Sequence, residues 1–356
     1  MAKSKLKIGI VGCGAVAYRW YLKGLSNKND SYTLDVVCDI DAKKAEKAAK
    51  DFNVPKWCID FKSLLNFNLD LVVILTRHDA HYEHIKFFLD NNVNVYSEKP
   101  FASDTRQGRK LLALAKAKKL VMGSAPQVML SSRNIKTKQL IDSGKIGKVT
   151  LVRASCSNLG PAGRADTNYD PEWFYQEGGS LSSLGIYGLS ALTWLMGEPK
   201  VISCFEGISY PKREVLFGPA KGKKFTVTAP DNVVAMFDYG NGTYALFDGS
   251  YSVATPPPYD FEIHGTKGSL LVGGFGGKES VVLKLIGQDP VLVGPEDDCH
   301  INWNLAWGVE DTVLAIKEKR EPKASARFAL KVINLMELMA LSADRQKQVM
   351  VKPLKI

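Results

Sequence analysis

The 356-residue chain lacks the marks of several classes of protein. No apolar run reaches the ~20 residues that a membrane-spanning helix needs, so no span is expected. Six cysteines (13, 38, 58, 156, 204 and 299) never fall at C-x-x-C spacing. That argues against a zinc ribbon or disulfide scaffold and for buried thiols in a reduced, cytoplasmic protein. Internal repeats and low-complexity tracts are absent. Pro256-Pro257-Pro258 is too short for a recognition tract and reads as a turn or edge device. His78, His81 and His84 stand at helical spacing. No carboxylate or cysteine partner is marked out for them, so no metal site is expected. The net charge of +10 carries no clustered basic stripe. Lys43, Lys44, Lys47 and Lys50 spread over a helix face, which gives a general attraction for phosphate groups but no nucleic-acid footprint.

What is present is ordinary for a globular protein, with 45% hydrophobic and 24% charged residues, and the length suits two domains. The first residues are basic and precede an apolar stretch, as in a signal peptide. That stretch is broken by Gly9, Gly12 and Gly14 and followed by Tyr18, Arg19 and Trp20, so the expectation is the first strand of a mature fold.

The most informative stretch is Lys7-Ile-Gly-Ile-Val-Gly-Cys-Gly-Ala-Val-Ala17. It reads as a buried strand, a glycine turn and a helix, in the pattern Gly12-x-Gly14-x-x-Ala17. Gly12 permits the tight turn, Gly14 leaves room for a pyrophosphate, and Ala17 lets the helix pack on its strand. Alone, the pattern is weak. From residue 6 to about 123, however, strand and helix alternate. Strands are predicted at 6–11, 33–38, 69–75, 93–96 and 120–122, and helices at 15–25, 42–51, 80–91 and 103–118, with Asp41 and Ser103 as N-caps. The strands are apolar on both faces, so the prediction is a parallel, doubly wound sheet.

Polar groups gather at the ends of those strands. Asp39 closes the second strand, 22 residues after Ala17. An acid at about that spacing accepts hydrogen bonds from adenosine ribose hydroxyls and repels a 2′-phosphate, which favours NAD over NADP. Ile40 stands where an arginine would hold that phosphate, while Lys43 and Lys44 leave the preference open. The alternative for Asp39 is a turn residue capping the next helix. Thr76-Arg-His-Asp-Ala-His81 is a polar loop at a strand end, where His81 reads as a cofactor-loop contact and His84 as surface. Ser97-Glu98-Lys99-Pro100 ends the fifth strand. Lys99 precedes proline and so has an extended backbone, although alone it reads as a solvated lysine in a turn.

After Gly123 the pattern changes. A helix is predicted at 134–143, a half-buried strand at 148–157, and hairpins at Asn241-Gly242 (strands 233–239 and 243–251) and Gly265-Thr-Lys-Gly268 (strands 260–264 and 269–272). Two helices near 304–319 and 324–344 close the chain. The expected partition is residues 1–124 and residues 125–356, the second an α+β domain with a large, mostly antiparallel open sheet. Gly178 and Gly179 open a helix to about Met196. Tyr187, Ala191 and Trp194 share one face of it, and Gly185 and Gly188 would admit another chain segment or a ligand. From spacing alone Tyr187 is a packed core tyrosine.

Together these segments resemble the glucose–fructose oxidoreductase / inositol dehydrogenase / rhizopine catabolism (GFO/IDH/MocA) family. The motifs occur in order: Gly12-x-Gly14-x-x-Ala17, Asp39, Thr76 with His81, Glu98-Lys99-Pro100, Gly144-Lys-Ile-Gly147, Gly178-Gly179, Tyr187 and Gly265-Thr-Lys-Gly268. The resemblance implies a Rossmann domain binding NAD or NADP through Gly12, Gly14, Ala15, Val16, Asp39, Thr76, His81, Glu98, Lys99 and Gln127. It implies a sugar, cyclitol or related diol substrate met by Lys99, Trp173 and Tyr187. Lys99 matches the family's catalytic lysine, and Tyr187 the acid/base position of its tyrosine-type members. A homodimer or homotetramer is expected on the same basis. Ser183 stands where many members carry an aspartate. The alternative is therefore a non-catalytic dinucleotide sensor of the same fold.

Overall fold

The computed structural model describes residues 5–27, 29–273, 280–294 and 304–354. Cys299 lies outside them, as do the residues before Lys5.

In chain order, β1 (Leu6–Val11) leads into a π-helical segment, Ala17–Leu22, that continues as α1 (Lys23–Leu25). Then come β2 (Tyr32–Cys38), α2 (Ala42–Asp51), β3 (Lys56–Cys58), β4 (Leu71–Ile74), α3 (His81–Asp90), β5 (Asn94–Ser97), α4 (Thr105–Ala117) and β6 (Met122–Ser124). These strands form a six-stranded sheet in the order β3-β2-β1-β4-β5-β6, every pair parallel. Ile8, Ile10, Val36, Val37, Val72 and Val73 are fully buried, because β-branched side chains pack on both faces of a sheet covered by helices. The order reverses between β1 and β4, so their carboxyl ends flank the crevice in which open α/β sheets bind ligands.

The second run comprises α5 (Ser132–Asp142), β7 (Val149–Ser155), α6 (Ile186–Met196), β8 (Val201–Gly207), β9 (Lys212–Glu214), β10 (Lys224–Thr226), β11 (Asn232–Gly240), β12 (Thr243–Asp248), β13 (Tyr259–Gly265), β14 (Gly268–Gly273), β15 (Val281–Leu285) and β16 (Val291–Leu292). After it come α7 (Ala306–Glu318), α8 (Ala326–Arg345) and β17 (Val349–Met350). A nine-stranded sheet runs β16-β15-β14-β13-β7-β12-β11-β8-β17. It is antiparallel except for β7 against β12. Asn241 (φ 55°) and Gly242 (φ 73°) make the predicted two-residue hairpin.

Contacts divide the chain into two units: Met1–Leu130 with Trp303–Ile333 and Lys355–Ile356, and Ser131–Asn302 with Asn334–Leu354. The contiguous partition expected from sequence placed both closing helices in the second domain. Instead, Val309 and Val313 of α7 are buried in the same cluster as Ile8, Ile10, Val37 and Val73.

Other differences are local. The N-cap of α4 is Asp104, not Ser103. Its extended backbone lets the carboxylate accept from Gln107 N–H at 2.6 Å, a stronger cap interaction than a hydroxyl gives. Asp41 caps α2 as expected. The predicted helix at 178–196 runs as regular α6 from Ile186, preceded by π-helical Leu181–Gly185. There Ser182 and Ser183 hydroxyls bond back to the carbonyls of Gly178 and Gly179, which competes with the regular ladder.

Candidate functional site

In the first unit, the glycine loop is held by the residue expected to meet the ribose. Asp39 Oδ2 accepts the Cys13 N–H at 2.8 Å and its Oδ1 accepts Asp41 N–H at 2.9 Å. The carboxylate is half-buried and each oxygen keeps a second lone pair for an incoming hydroxyl. Asp39 is thus a turn organiser, while the cap of α2 is Asp41. Ile40 beside it is 93% exposed.

Gly12 has φ +97°, and a Cβ there would lie 2.8 Å from the backbone of Leu75 and Thr76. The turn after β1 thus lies directly against the backbone that follows β4. Gly14 differs: a Cβ would meet nothing within 4 Å, so the space above the loop is open. Ala15 and Val16 are exposed on the first helical turn, where the leading N–H groups have no intrahelical partner. An open glycine, a helix start and a half-buried carboxylate fit a dinucleotide: phosphates at the helix end, a ribose at Asp39. The Cys13 thiol, beside Asp39, is pushed up to about 12 by burial and then by that carboxylate, so it is an inert neighbour.

Thr76 follows β4, with its hydroxyl 3.3 Å from His84 Nδ1. His81 is 1% exposed. Its Nδ1 lies 2.8 Å from the Pro100 carbonyl oxygen and its Nε2 3.0 Å from that of Thr76. Both ring nitrogens face backbone carbonyl oxygens, and a neutral imidazole, with a single N–H, donates to only one of the two. Burial lowers its pKa despite those two carbonyls. His84, expected at the surface, is packed against Phe61 at 4.3 Å between ring centroids.

Glu98 is also buried, at 6% exposure. Its Oε1 accepts the Tyr21 hydroxyl at 2.7 Å and its Oε2 accepts Lys99 N–H at 2.9 Å. The Lys99-Pro100 peptide is cis, and the Lys99 side chain is half-buried. Gln127 is 1% exposed. Its Nε2 donates to Asn304 O at 3.3 Å, and its Oε1 is buried with no hydrogen-bond partner among the described residues.

In the second unit, Tyr187 is half-buried in the first turn of α6, just after the π-helical segment. The flanking glycines admit a chain segment: a Cβ on Gly188 would be 2.6 Å from Cys156 Cβ, and one on Gly185 3.3 Å from Gly249 Cα. Ser183 bonds to the Tyr251 hydroxyl as well as to Gly179 O. Since Ser183 donates to the carbonyl, Tyr251 donates to Ser183. Burial keeps the Tyr251 phenol protonated. Its backbone carbonyl accepts from Arg213 Nη2 at 2.7 Å, and that guanidinium pairs with buried Asp231 at 2.7 Å. Trp173 donates its indole N–H to Glu177 at 3.0 Å and packs edge-on to Phe174.

Tyr21 and Tyr251 are the participants that sequence reasoning missed. Each sits far in sequence from its partner, and neither motif nor period marks it. Among the described residues, no cluster of three or more His, Cys, Asp or Glu suits a metal ion, and no helix is long and apolar enough to cross a membrane.

Two family models match the chain. The oxidoreductase family NAD-binding Rossmann fold covers residues 6–125, and the GFO/IDH/MocA C-terminal domain covers residues 135–271. The uncharacterized oxidoreductase YhhX of Escherichia coli is 25% identical over 89% of this chain and 85% of its own length. The D-glucoside 3-dehydrogenase of E. coli is 26% identical over 71% of this chain and 72% of its own. An oxidoreductase from Agrobacterium radiobacter, solved with NAD+, L-tartaric acid and magnesium, superposes with a TM-score of 0.78 at 17% identity, over 98% of both chains. At that identity the likeness carries the fold alone.

Proposed function

We propose, from the premise that this chain belongs to the GFO/IDH/MocA family of oxidoreductases, that it oxidises or reduces a carbinol carbon of a sugar, cyclitol or related diol with NAD as the favoured dinucleotide. The observation that carries this reading is the glycine loop, open at Gly14 and pinned at Cys13 by Asp39. Related chains named as dehydrogenases of glucosides, xylose and inositols support the substrate class.

When bound, the nicotinamide supplies or accepts the hydride. The residues of this chain do the rest. The helix start binds phosphate, and Asp39 accepts from the ribose and disfavours a 2′-phosphate. Gln127 Oε1, buried with no hydrogen-bond partner among the described residues, is assigned to the cofactor. Tyr187 takes or gives the substrate hydroxyl proton. A free phenol has a pKa of ~10, so the positive charge of Lys99 is assigned to favour phenolate and to stabilise alkoxide character. Trp173 offers a flat face to the substrate.

Self-association is part of the same proposal. The face of the nine-stranded sheet bearing Phe205, Val234, Met236, Tyr244 and Leu246 is exposed, Phe205 at 72%. Phe205 pairs with Val234, and Met236 with Leu246, so the apolar groups are contiguous, and a second copy is the assigned cover. Sedimentation of wild type against Phe205→Glu/Met236→Glu tests it: a shift to monomer is expected, and an unchanged mass contradicts it.

A dinucleotide sensor is the second reading, favoured by Ser183, whose hydroxyl is engaged with Tyr251 rather than replaced by a carboxylate. Incubation with NAD+ or NADP+ and a panel of sugars and polyols, read at the reduced-nicotinamide absorbance band, separates the two. Turnover of any panel member supports the oxidoreductase, and tight binding with no turnover in either direction supports the sensor. A melting temperature raised by neither dinucleotide would contradict both.

A further inference from the structure

We propose that Tyr21 is a positioning residue for Lys99, acting through Glu98, so that the helix following the glycine loop sets the geometry of the lysine turn. The inference rests on the role assigned to Lys99 above. Glu98 continues the β5 ladder, its N–H donating to Ile74 O at 2.9 Å, which buries its carboxylate at the end of the sheet. A buried carboxylate keeps its charge only if donors surround it. Two are present. The Tyr21 hydroxyl reaches Oε1 at 2.7 Å, and the Lys99 backbone N–H reaches Oε2 at 2.9 Å. Each oxygen of one rigid carboxylate thus holds a different element: the glycine-loop helix on one side, the lysine backbone on the other.

The geometry of Tyr21 fits this task. It is fully buried, and its ring lies 6.2 Å from Tyr96. It falls within the π-helical segment Ala17–Leu22. Such a segment inserts an extra residue per turn and re-aims the side chains that follow, and π-turns cluster at functional sites. Burial and then the Glu98 charge hold the phenol pKa well above its ordinary value, so Tyr21 remains a donor throughout the working range. On the other side of the turn, His81 Nδ1 lies 2.8 Å from Pro100 O. The Lys99 backbone N–H is fixed by Glu98, and a lysine side chain on a fixed backbone loses much of the freedom that would misplace its ammonium.

The test uses Tyr21→Phe, which keeps the ring and removes the hydroxyl, with Glu98→Gln as a second variant. Lysines of the full chain are reductively methylated with a 13C label, and the Lys99 signal is identified by its loss in Lys99→Arg. The expected result is that Tyr21→Phe shifts the Lys99 signal and its titration midpoint, while the signal of Lys86, paired with Asp90, stays in place. In turnover, kcat is expected to fall about tenfold to a hundredfold with KM and the NADH Kd changed less than about threefold. Tyr21→Phe combined with Glu98→Gln should lose no more than Glu98→Gln alone, because both act through one bond. An unmoved Lys99 signal overturns the proposal, as does a lower melting temperature with kcat unchanged. A shifted signal in a protein that turns over no substrate keeps the positioning role and refutes the oxidoreductase reading instead.

Discussion

The backbone N–H of Cys13 donates to Asp39 Oδ2 at 2.8 Å, so the acid that ends the second strand also shapes the glycine loop that ends the first. Two functions are thereby joined in one carboxylate, and they separate by substitution. Asp39→Asn retains an acceptor for Cys13 but removes the charge and the second oxygen, which accepts Asp41 N–H. Wild type is expected to bind NADH more tightly than NADPH, and Asp39→Asn to narrow that ratio about tenfold, a change worth ~1.4 kcal/mol. Fluorescence titration of both dinucleotides measures it. An unmoved ratio would leave Asp39 with a structural role only.

The two loop glycines should fail differently. Gly12→Ala places a methyl 2.8 Å from the Leu75 and Thr76 backbone at a φ of +97°, so a stability loss of about 1–3 kcal/mol is expected. Gly14→Ala meets nothing within 4 Å. It is expected to melt within a degree or two of wild type while losing dinucleotide affinity about tenfold or more, since the methyl fills the space assigned to pyrophosphate. Equal affinity in wild type and Gly14→Ala would move the phosphate site elsewhere.

Gly188 tests the packing under Tyr187. A Cβ there lies 2.6 Å from Cys156 Cβ and 3.2 Å from the Phe247 ring. Neither neighbour has room, so Gly188→Ala is expected to cost about 1–3 kcal/mol by overpacking. Denaturant unfolding measures it, with Gly188→Ala/Phe247→Leu recovering part of the loss.

A pH dependence follows from the buried imidazoles. Burial lowers the pKa of His81 and of His84 below the ordinary 6.5. The unfolded chain then binds more protons than the folded one near and below that value. Their contribution to stability is full above pH ~6.5 and is lost progressively as pH falls through the window beneath it. Melting temperatures between about pH 7.5 and 5.5 should decline, and His81→Gln, although less stable overall, should decline less steeply. Parallel curves for the two proteins would show that His81 does not titrate in the folded state as inferred.

How much of this was legible in the sequence varies with the range of the forces involved. The β-branched runs that became β1, β2, β4 and β5 announced a parallel sheet, and Asn241-Gly242 announced its hairpin, because both are local codes. The three residues of β3 carry no period, and only pairing with β2 makes them a strand. The parallel pairing of β7 with β12 joins residues about ninety positions apart, which no local pattern encodes. The same holds for α7, whose apolar stripe says that it is buried but not in which unit. At the site, the glycine loop, Asp39 and the Glu98-Lys99-Pro100 turn were visible as strand-end motifs. What organises them was not. Tyr21 meets Glu98 across 77 positions and Tyr251 meets Ser183 across 68, and a tyrosine in an apolar helix reads as core until its hydroxyl partner is known.

Lys99 and Tyr187 are proposed to carry hydride-transfer chemistry on a sugar or polyol. The most direct measurement is the rate of reduced-nicotinamide formation by wild type, Lys99→Met and Tyr187→Phe, each saturated with NAD+ and with the panel compound that wild type turns over fastest. Losses in kcat of about a hundredfold or more are expected for each variant, with dinucleotide affinity retained by Tyr187→Phe. Both variants turning over within a few-fold of wild type would contradict it.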